Sequence, residues 1–253
     1  MTQVKLGDKN IPFIYQGNEL LYPNPIKDGL VLYYDFKGMK NSDVSKNIAR
    51  DLSGNGNDGE LKNFVYTNES GYDQSLNFDG IDDYIDVPNF TQDTFNNSRI
   101  FTFCFTLSFK DTLKRGTILN IPSEISSERL TVKTGLDKRI IIGRESPTRI
   151  GYKSDFIEND IFNVCITVNS ESIQDAKIFI NGVESPLTET TIAADVYSFA
   201  RKNLTISYHG SDVTQANSSY LNNKLYSLNI YNRILTDQEI QHNYNLEKER
   251  WGL

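Results

Sequence analysis

The sequence has very few of the residues from which metal and redox centres are commonly built. Its 253 residues include two cysteines and two histidines. His209 and His242 stand far apart and outside any ligand spacing, so a metal site of His and Cys ligands is not expected. Cys104 and Cys165 each lie inside an apolar run, which favours two small buried hydrophobic side chains. A disulfide between them requires that their strands be neighbours, and the spacing leaves that question open.

The chain also lacks a long apolar run and an excess of positive charge. No stretch of roughly 18 apolar residues occurs, so no transmembrane helix is expected. The start MTQVKLGDKN has no apolar segment of the kind found in secretory signal peptides. The formal net charge of −7 argues against a nucleic-acid backbone or an anionic membrane as the main partner. We therefore expect neither nucleic-acid binding nor membrane insertion.

What the chain contains instead is a succession of short strand-like segments separated by turn signals. The clearest, IFTFCFTLSFK at 100–110, places four phenylalanines and a leucine on one face and smaller or polar residues on the other, which predicts a half-buried strand. Similar segments occur at 29–38, 75–88, 116–121, 129–134, 139–144, 161–170, 175–185, 203–210 and 223–233. Many short strands at such spacing predict an all-β fold, a two-sheet antiparallel jelly-roll sandwich.

The two ends of the chain differ from the middle. Residues 1–28 comprise two strand-like pieces and then Pro23 and Pro25, which disfavour helix and predict an extended linker. We expect residues 1–22 to form a β-arm that docks on another chain; the alternative is an outer strand of the same sandwich. Near the other end, Thr236 and Glu239 form a capping-box pattern that predicts a helix from about 236. The predicted organisation is an arm and linker, then one domain over 29–253.

Two stretches rich in glycine and acidic residues have two interpretations each. In DLSGNGNDG (51–59) the glycines allow tight turns, and Asp51 can accept hydrogen bonds from its own turn, which needs no ligand. The alternative is a calcium ion held by Asp51 with Asp79 or Asp83 and by loop carbonyls, since calcium takes six to eight oxygen ligands. In NFDGIDDYIDVP (77–88) the turn signal predicts a tight turn with Phe78 and Tyr84 buried on either side.

No catalytic constellation is evident. Glycoside hydrolysis needs two carboxylates that flank the scissile bond, whereas four candidate glutamates lie in loops or at their edges, at Glu124, Glu128, Glu158 and Glu171. We therefore predict that the protein is not an enzyme and needs no cofactor, calcium being the one candidate. For sugar binding, the candidate side chains are the tyrosines near loops that are least committed to a core. These are Tyr152, Tyr208 and Tyr220.

The order of several motifs resembles a laminin-G-like, concanavalin A-like jelly-roll domain of the type found in bacterial surface proteins and phage tail proteins. The resemblance covers about residues 29–246, and its most specific pieces are DLSGNGNDG, NFDGIDDYIDVP and LYSLNIYNRILTDQEI. It is specific to a fold and not to a ligand, because this fold serves sugar binding, adhesion, catalysis and structure.

The stretch VKLGDKNIPFIYQGNELLYP resembles the start of minor tail proteins from phages of low-GC Gram-positive bacteria. This implies a non-enzymatic virion structural protein, in a tail or another surface appendage, that contributes to host attachment by glycan binding. The implied partners are other virion proteins, contacted through residues 1–22, and the cell-wall glycan of a Gram-positive host, with many copies per particle. The implied location is the virion, assembled in the host cytoplasm. Alternatives are a bacterial surface adhesin or carbohydrate-binding module, extracellular or at the cell surface, and a purely structural decoration protein.

Overall fold

The fold is built almost entirely from antiparallel strands. The computed structural model describes residues 5–16, 19–88, 90, 94, 100–110, 116–121, 130–134, 139–143, 149–153, 160–169, 175–186, 189–191, 203–208 and 220–253. The strands are β1 (Lys5–Leu6), β2 (Lys9–Asn10), β3 (Ile14–Gln16), β4 (Glu19–Tyr22), β5 (Leu30–Asp35), β6 (Ile48–Ala49), β7 (Gly59–Lys62), β8 (Gly71–Tyr72), β9 (Leu76–Asn77), β10 (Tyr84–Val87), β11 (Ile100–Phe109), β12 (Gly116–Ile121), β13 (Leu130–Thr134), β14 (Arg139–Gly143), β15 (Arg149–Lys153), β16 (Ile161–Asn169), β17 (Lys177–Ile180), β18 (Val183–Ser185), β19 (Glu189–Thr191), β20 (Leu204–Ile206) and β21 (Asn223–Tyr231). Within these ranges there is one α-helix, α1 (Asp237–Trp251).

Two large sheets form the sandwich. One has nine strands in the order β19-β15-β14-β13-β12-β20-β10-β7-β6. The other has eight strands: seven in the order β18-β17-β16-β11-β21-β9-β8, and β5, which pairs with β21. The recorded pairings within both sheets are antiparallel. This confirms the predicted all-β, two-sheet antiparallel sandwich. The described part of the chain contains no helix long and apolar enough to span a membrane.

The main hydrophobic core lies between the two sheets. The alternating face of β11 contributes five side chains that are at most 3% exposed, namely Phe101, Phe103, Phe105, Leu107 and Phe109. They belong to one cluster with apolar side chains of both sheets, among them Val132, Ile142 and Leu204. Burying a large apolar side chain contributes roughly 1.5–3 kcal/mol relative to exposure, so this face of β11 holds the two layers together.

The opposite face of β11 is buried as well, so the prediction of a half-buried strand is wrong. Thr102 and Thr106 are 0% exposed. The Oγ1 of Thr102 donates to the carbonyl of Arg233 and accepts from the amide of Leu235, at 2.7 and 3.0 Å. The Oγ1 of Thr106 donates to Glu247 at 2.7 Å. The C-terminal segment therefore covers a polar strand face by hydrogen-bonding to it.

Cys104 and Cys165 lie directly opposite each other on the neighbouring strands β11 and β16 and form a disulfide. Both are at most 3% exposed, in a second hydrophobic cluster beneath α1 that also contains Tyr33, Tyr231 and Ile240. Both cysteines are buried as expected, but they are bonded to each other, so the favoured interpretation as two separate small hydrophobic side chains is wrong. Strand order decided this, because only neighbouring strands bring two such residues into register.

Helix α1 begins as the capping box predicts. The Thr236 side chain accepts from the Glu239 amide, and the Glu239 carboxylate accepts from the Thr236 amide. The helix ends at Gly252, which has a left-handed conformation (φ +75°) that glycine tolerates. Its inner face is partly polar, since Asn243, Glu247 and Arg250 are buried there. This explains why apolar positions are sparse in the helix sequence.

The N-terminal residues form two small hairpins, β1–β2 and β3–β4. Residues between the hairpins and after them contact α1 of the same chain. Arg250 donates to the carbonyl of Pro12 at 2.9 Å, and the amide of Ile26 donates to Asn243 at 3.0 Å. Leu20 joins the cluster beneath the helix. Part of the N-terminal segment therefore packs on its own domain, and its contact with another chain stays a prediction.

Candidate functional site

Two of the three tyrosines predicted for ligand binding lie against each other. The rings of Tyr208 and Tyr220 stack with their centroids 5.6 Å apart and an interplanar angle of 26°. Tyr84 extends the group, with its ring centroid 5.1 Å from that of Tyr208. All three side chains are partly exposed. We call Tyr84, Tyr208 and Tyr220 the tyrosine cluster.

Backbone pairing positions the cluster. Antiparallel β10 and β20 place Ile85 opposite Ile206, so Tyr84 and Tyr208 lie near the same end of the strand pair. The Ser207 hydroxyl accepts from the amide of Leu221 at 2.9 Å, which fixes the segment that carries Tyr220 beside the end of β20. Ser207 itself has a φ of +73°, an unusual backbone conformation for a residue other than glycine.

The surroundings of the cluster raise the pKa of two of its hydroxyls. Burial, with the nearby Asp86 carboxylate as the next cause, raises the pKa of Tyr84. Burial and then the neighbouring Tyr208 raise the pKa of Tyr220. The cluster thus presents aromatic rings with hydroxyl groups, close to polar side chains such as Asp82, Asp86 and Lys62. Aromatic faces beside polar groups suit a ligand that has both apolar C–H faces and hydroxyls.

The sequence interpretation missed Tyr84 and leaves Tyr152 untested. Tyr84 was expected in the core beside Phe78; Phe78 is fully buried, whereas Tyr84 is partly exposed. The burial pattern of β10 explains this, since Ile85 and Val87 alternate inward and leave Tyr84 on the other face. Tyr152 lies in β15, and its side chain is outside the described residues, as are His209 and the four loop glutamates at 124, 128, 158 and 171.

The glycine loop, the DLSGNGNDG stretch at 51–59, is held together by Asp51. Its Oδ1 accepts from the amides of Tyr33 and Ser53, at 3.0 and 2.9 Å. Its Oδ2 accepts from the Ser53 hydroxyl and the Asn57 amide, at 2.8 and 2.9 Å. Both oxygens are therefore occupied by donors of the protein, which accounts for an aspartate that is only 8% exposed. The predicted structural role explains this residue without a ligand.

Glycine and asparagine have separate roles in that loop. Gly54 and Gly56 have φ angles of +89° and +77°. Gly59 is needed for space, because a Cβ there would lie 2.5 Å from Ile85 Cγ2. Asn57 does not adopt positive φ; its Nδ2 donates to the carbonyl of Val31 at 2.8 Å. The loop is thus tied to β5 by side-chain amides.

The other predicted calcium ligands, Asp79 and Asp83, lie in one turn with Asp82. Their carboxylates come within 4.8 Å of one another. Asp83 is fully buried and accepts from the Ser70 hydroxyl and the Asp79 amide, both at 3.0 Å. Burial raises the pKa of Asp83 to about 6, although the hydrogen bonds from Ser70 and Asp79 act to lower it. The bond from Asp79 lies within the turn, and the bond from Ser70 ties the turn to a more distant segment. Calcium binding here stays a prediction.

A separate open cavity of about 670 Å³ lies where the N-terminal segment, the loop after β5 and the end of α1 meet. Trp251 and Tyr226 lie on its wall, in an edge-to-face contact with centroids 5.0 Å apart. Lys37 and Arg250 also line it. No sequence motif signals this cavity, because its residues come from segments that lie far apart along the chain.

Similar solved structures share this fold. No protein-family model matches the chain, and no curated protein matches its sequence. Trypanosoma rangeli sialidase gives a TM-score of 0.61 at 14% identity, over 88% of this chain and 33% of the sialidase chain. The binding domain of botulinum neurotoxin serotype C1 gives a TM-score of 0.59 at 16% identity, over 87% of this chain and 52% of that one. A structure of botulinum neurotoxin type C, whose cell entry is dependent upon interaction with two ganglioside molecules, gives a TM-score of 0.56 at 16% identity, over 87% of this chain and 51% of that one.

The chain therefore spans between a third and about half the length of these structures. At such identities the likeness shows the fold alone, an antiparallel β-sandwich. The similar proteins include an enzyme and a binding domain, so fold likeness does not by itself separate catalysis from binding.

Proposed function

We propose that the protein is a non-enzymatic glycan-binding component of a phage virion, and that the tyrosine cluster forms its sugar platform. The observation that carries the proposal is the stacking of Tyr208 and Tyr220, which lie outside the main core and remain partly exposed. The ganglioside named for one structural neighbour adds support, because a glycolipid is bound by a protein of similar fold.

Sugar rings have apolar C–H faces that pack on aromatic rings, while their hydroxyls need polar partners. The cluster offers the rings of Tyr84, Tyr208 and Tyr220, and carboxylates close by at Asp82 and Asp86 can accept from sugar hydroxyls. A platform of this size gives weak single-site binding. Many copies on one particle would gain roughly 10²–10⁴ in avidity, which suits attachment of a phage to a Gram-positive cell wall.

The test presents the purified chain multivalently on beads and measures retention of cell walls from Gram-positive hosts. Tyr208→Ala and Tyr220→Ala should each weaken binding, by about 1 kcal/mol or roughly fivefold per site. Tyr208→Phe keeps the ring and should retain most of the binding. Tyr15→Ala is the matched control, because Tyr15 is an exposed tyrosine on β3.

The attachment role fails if the unaltered chain retains no wall material. It also fails if Tyr208→Ala and Tyr15→Ala bind equally well. An antibody raised against the chain should label intact particles and block adsorption; labelling without wall binding would leave the purely structural alternative.

A further inference from the structure

We propose that the cavity beside Trp251 binds a small anionic saccharide or polyol, through an oxyanion that is either a carboxylate or a phosphate. This site is distinct from the tyrosine cluster and goes beyond the proposed function. Its volume, about 670 Å³, is within the range of sites that bind small molecules, roughly 300–1,000 Å³.

The charge of the cavity wall is the first argument. The wall contains four basic side chains and one acidic side chain. The basic ones are Lys37, Lys40, Lys224 and Arg250, and the acidic one is Asp73. The whole chain carries a formal charge of −7, so a concentration of positive charge in a concave site is local and opposite to the rest of the surface. Such a cleft attracts anions.

The basic groups are only partly neutralised by the protein. Lys224 lies 3.2 Å from Asp73, and Arg250 forms an ion pair with the buried Asp35 at 2.6 Å. Lys40 Nζ has no hydrogen-bond or ion-pair partner among the described residues, and Lys37 Nζ donates to a backbone carbonyl, which carries no charge. An oxyanion would supply the missing acceptors.

Arg250 adds a buried cation with an unsatisfied donor to this wall. Its side chain is 2% exposed, and it lines the cavity. Nε has no hydrogen-bond partner in the described part of the chain. A buried donor without a partner costs about 1–3 kcal/mol, and a carboxylate or phosphate oxygen is the acceptor that guanidinium groups bind best.

The aromatic wall favours a sugar-like body for the ligand. Trp251 is the one tryptophan of the chain, and its indole is held by a hydrogen bond to Glu247 at 3.0 Å and by the edge contact with Tyr226. Lys37 Nζ lies 4.7 Å from the centroid of this ring. A ligand beside this indole would therefore lie close to a cation.

The sole tryptophan makes the proposal testable by fluorescence. The full chain is titrated with glucuronate, with glucose 6-phosphate and with glucose, and Trp251 emission is followed. We expect a saturable change with at least one of the two anions, weakened by added salt, and none with glucose. The anion that binds identifies the oxyanion as carboxylate or phosphate.

Lys40→Gln and Lys224→Gln should each weaken anion binding roughly tenfold, the loss of one charge-assisted contact. Lys177→Gln is the matched control, because Lys177 is also paired with a carboxylate, Glu184 at 2.9 Å, but lies on β17 and outside the cavity wall. Tyr208→Ala should leave the fluorescence titration unchanged, which separates this site from the tyrosine cluster.

The proposal is overturned if neither anion changes Trp251 emission and titration calorimetry also detects no heat of binding. It is equally overturned if glucose matches the anions, or if both cavity lysine variants bind like Lys177→Gln. Loss of the titration in Tyr208→Ala would show one shared site and would also contradict it. Failure of wall binding by the tyrosine cluster would leave this result unaffected.

Discussion

From the hydrogen bonds of Asp51 we predict that the glycine loop stabilises the fold without a ligand. Replacing Asp51 by Asn keeps the size and shape of the side chain and one acceptor oxygen, but turns the other oxygen into an NH₂ donor. The Ser53 hydroxyl can rotate to accept from that group, whereas the buried amide of Asn57 loses its acceptor.

The magnitude follows from the number of buried donors left unpaired. One such donor costs about 1–3 kcal/mol, so Asp51→Asn should lower the free energy of unfolding by about 2 kcal/mol. Asp51→Ala also leaves the buried amide of Tyr33 without its partner, and should lower it by about 4 kcal/mol. For a domain of this size about 2 kcal/mol corresponds to roughly 4–8 °C in the melting temperature.

The assay is urea unfolding of the wild type, both variants and Asp8→Asn, an exposed aspartate that controls for loss of charge. Each protein is measured with calcium and with chelator. Hydrogen bonding predicts the same loss in both conditions. A loss for Asp51→Asn under about 0.5 kcal/mol would refute the argument. A loss seen only with calcium would show that the ion, and not the loop amides, is the partner of Asp51.

Two further predictions concern close packing and pH. Gly59→Ala should cost about 1–3 kcal/mol in urea unfolding, since the new Cβ would lie 2.5 Å from Ile85 Cγ2 and 2.7 Å from the Tyr34 hydroxyl; an unchanged midpoint would show that the strands move apart at no cost. The bidentate pair with Arg233 lowers the pKa of Glu239 to about 2. The contribution of this pair to the free energy of unfolding is therefore present above the ordinary glutamate pKa of about 4.5 and is lost as the pH falls towards 2. Acid titration of stability should be steeper in the wild type than in Glu239→Gln, and identical slopes would contradict the pairing.

The sequence by itself determined where most elements lie. Period-two alternation and turn residues depend on neighbours along the chain, so they locate strands such as β11 and β16 to within a residue or two. The capping box of Thr236 and Glu239 is equally local, and the helix begins where it predicts. The Asn181–Gly182 dipeptide is itself a local turn signal, because both residue types accept positive φ, and both residues have positive φ in the structure.

Only the tertiary structure decided what the faces of those elements contact. The polar face of β11 is buried because residues 233–247 lie over it, and no periodicity within the strand contains that information. Cys104 meets Cys165 because β11 and β16 are neighbours in the sheet. The same holds for both candidate sites: Tyr84 reaches Tyr208 through the pairing of β10 with β20, and the anion cavity joins residues near position 37 to the last turn of α1. A pattern along the chain reports local conformation, whereas a site depends on contacts that form only when distant segments pack.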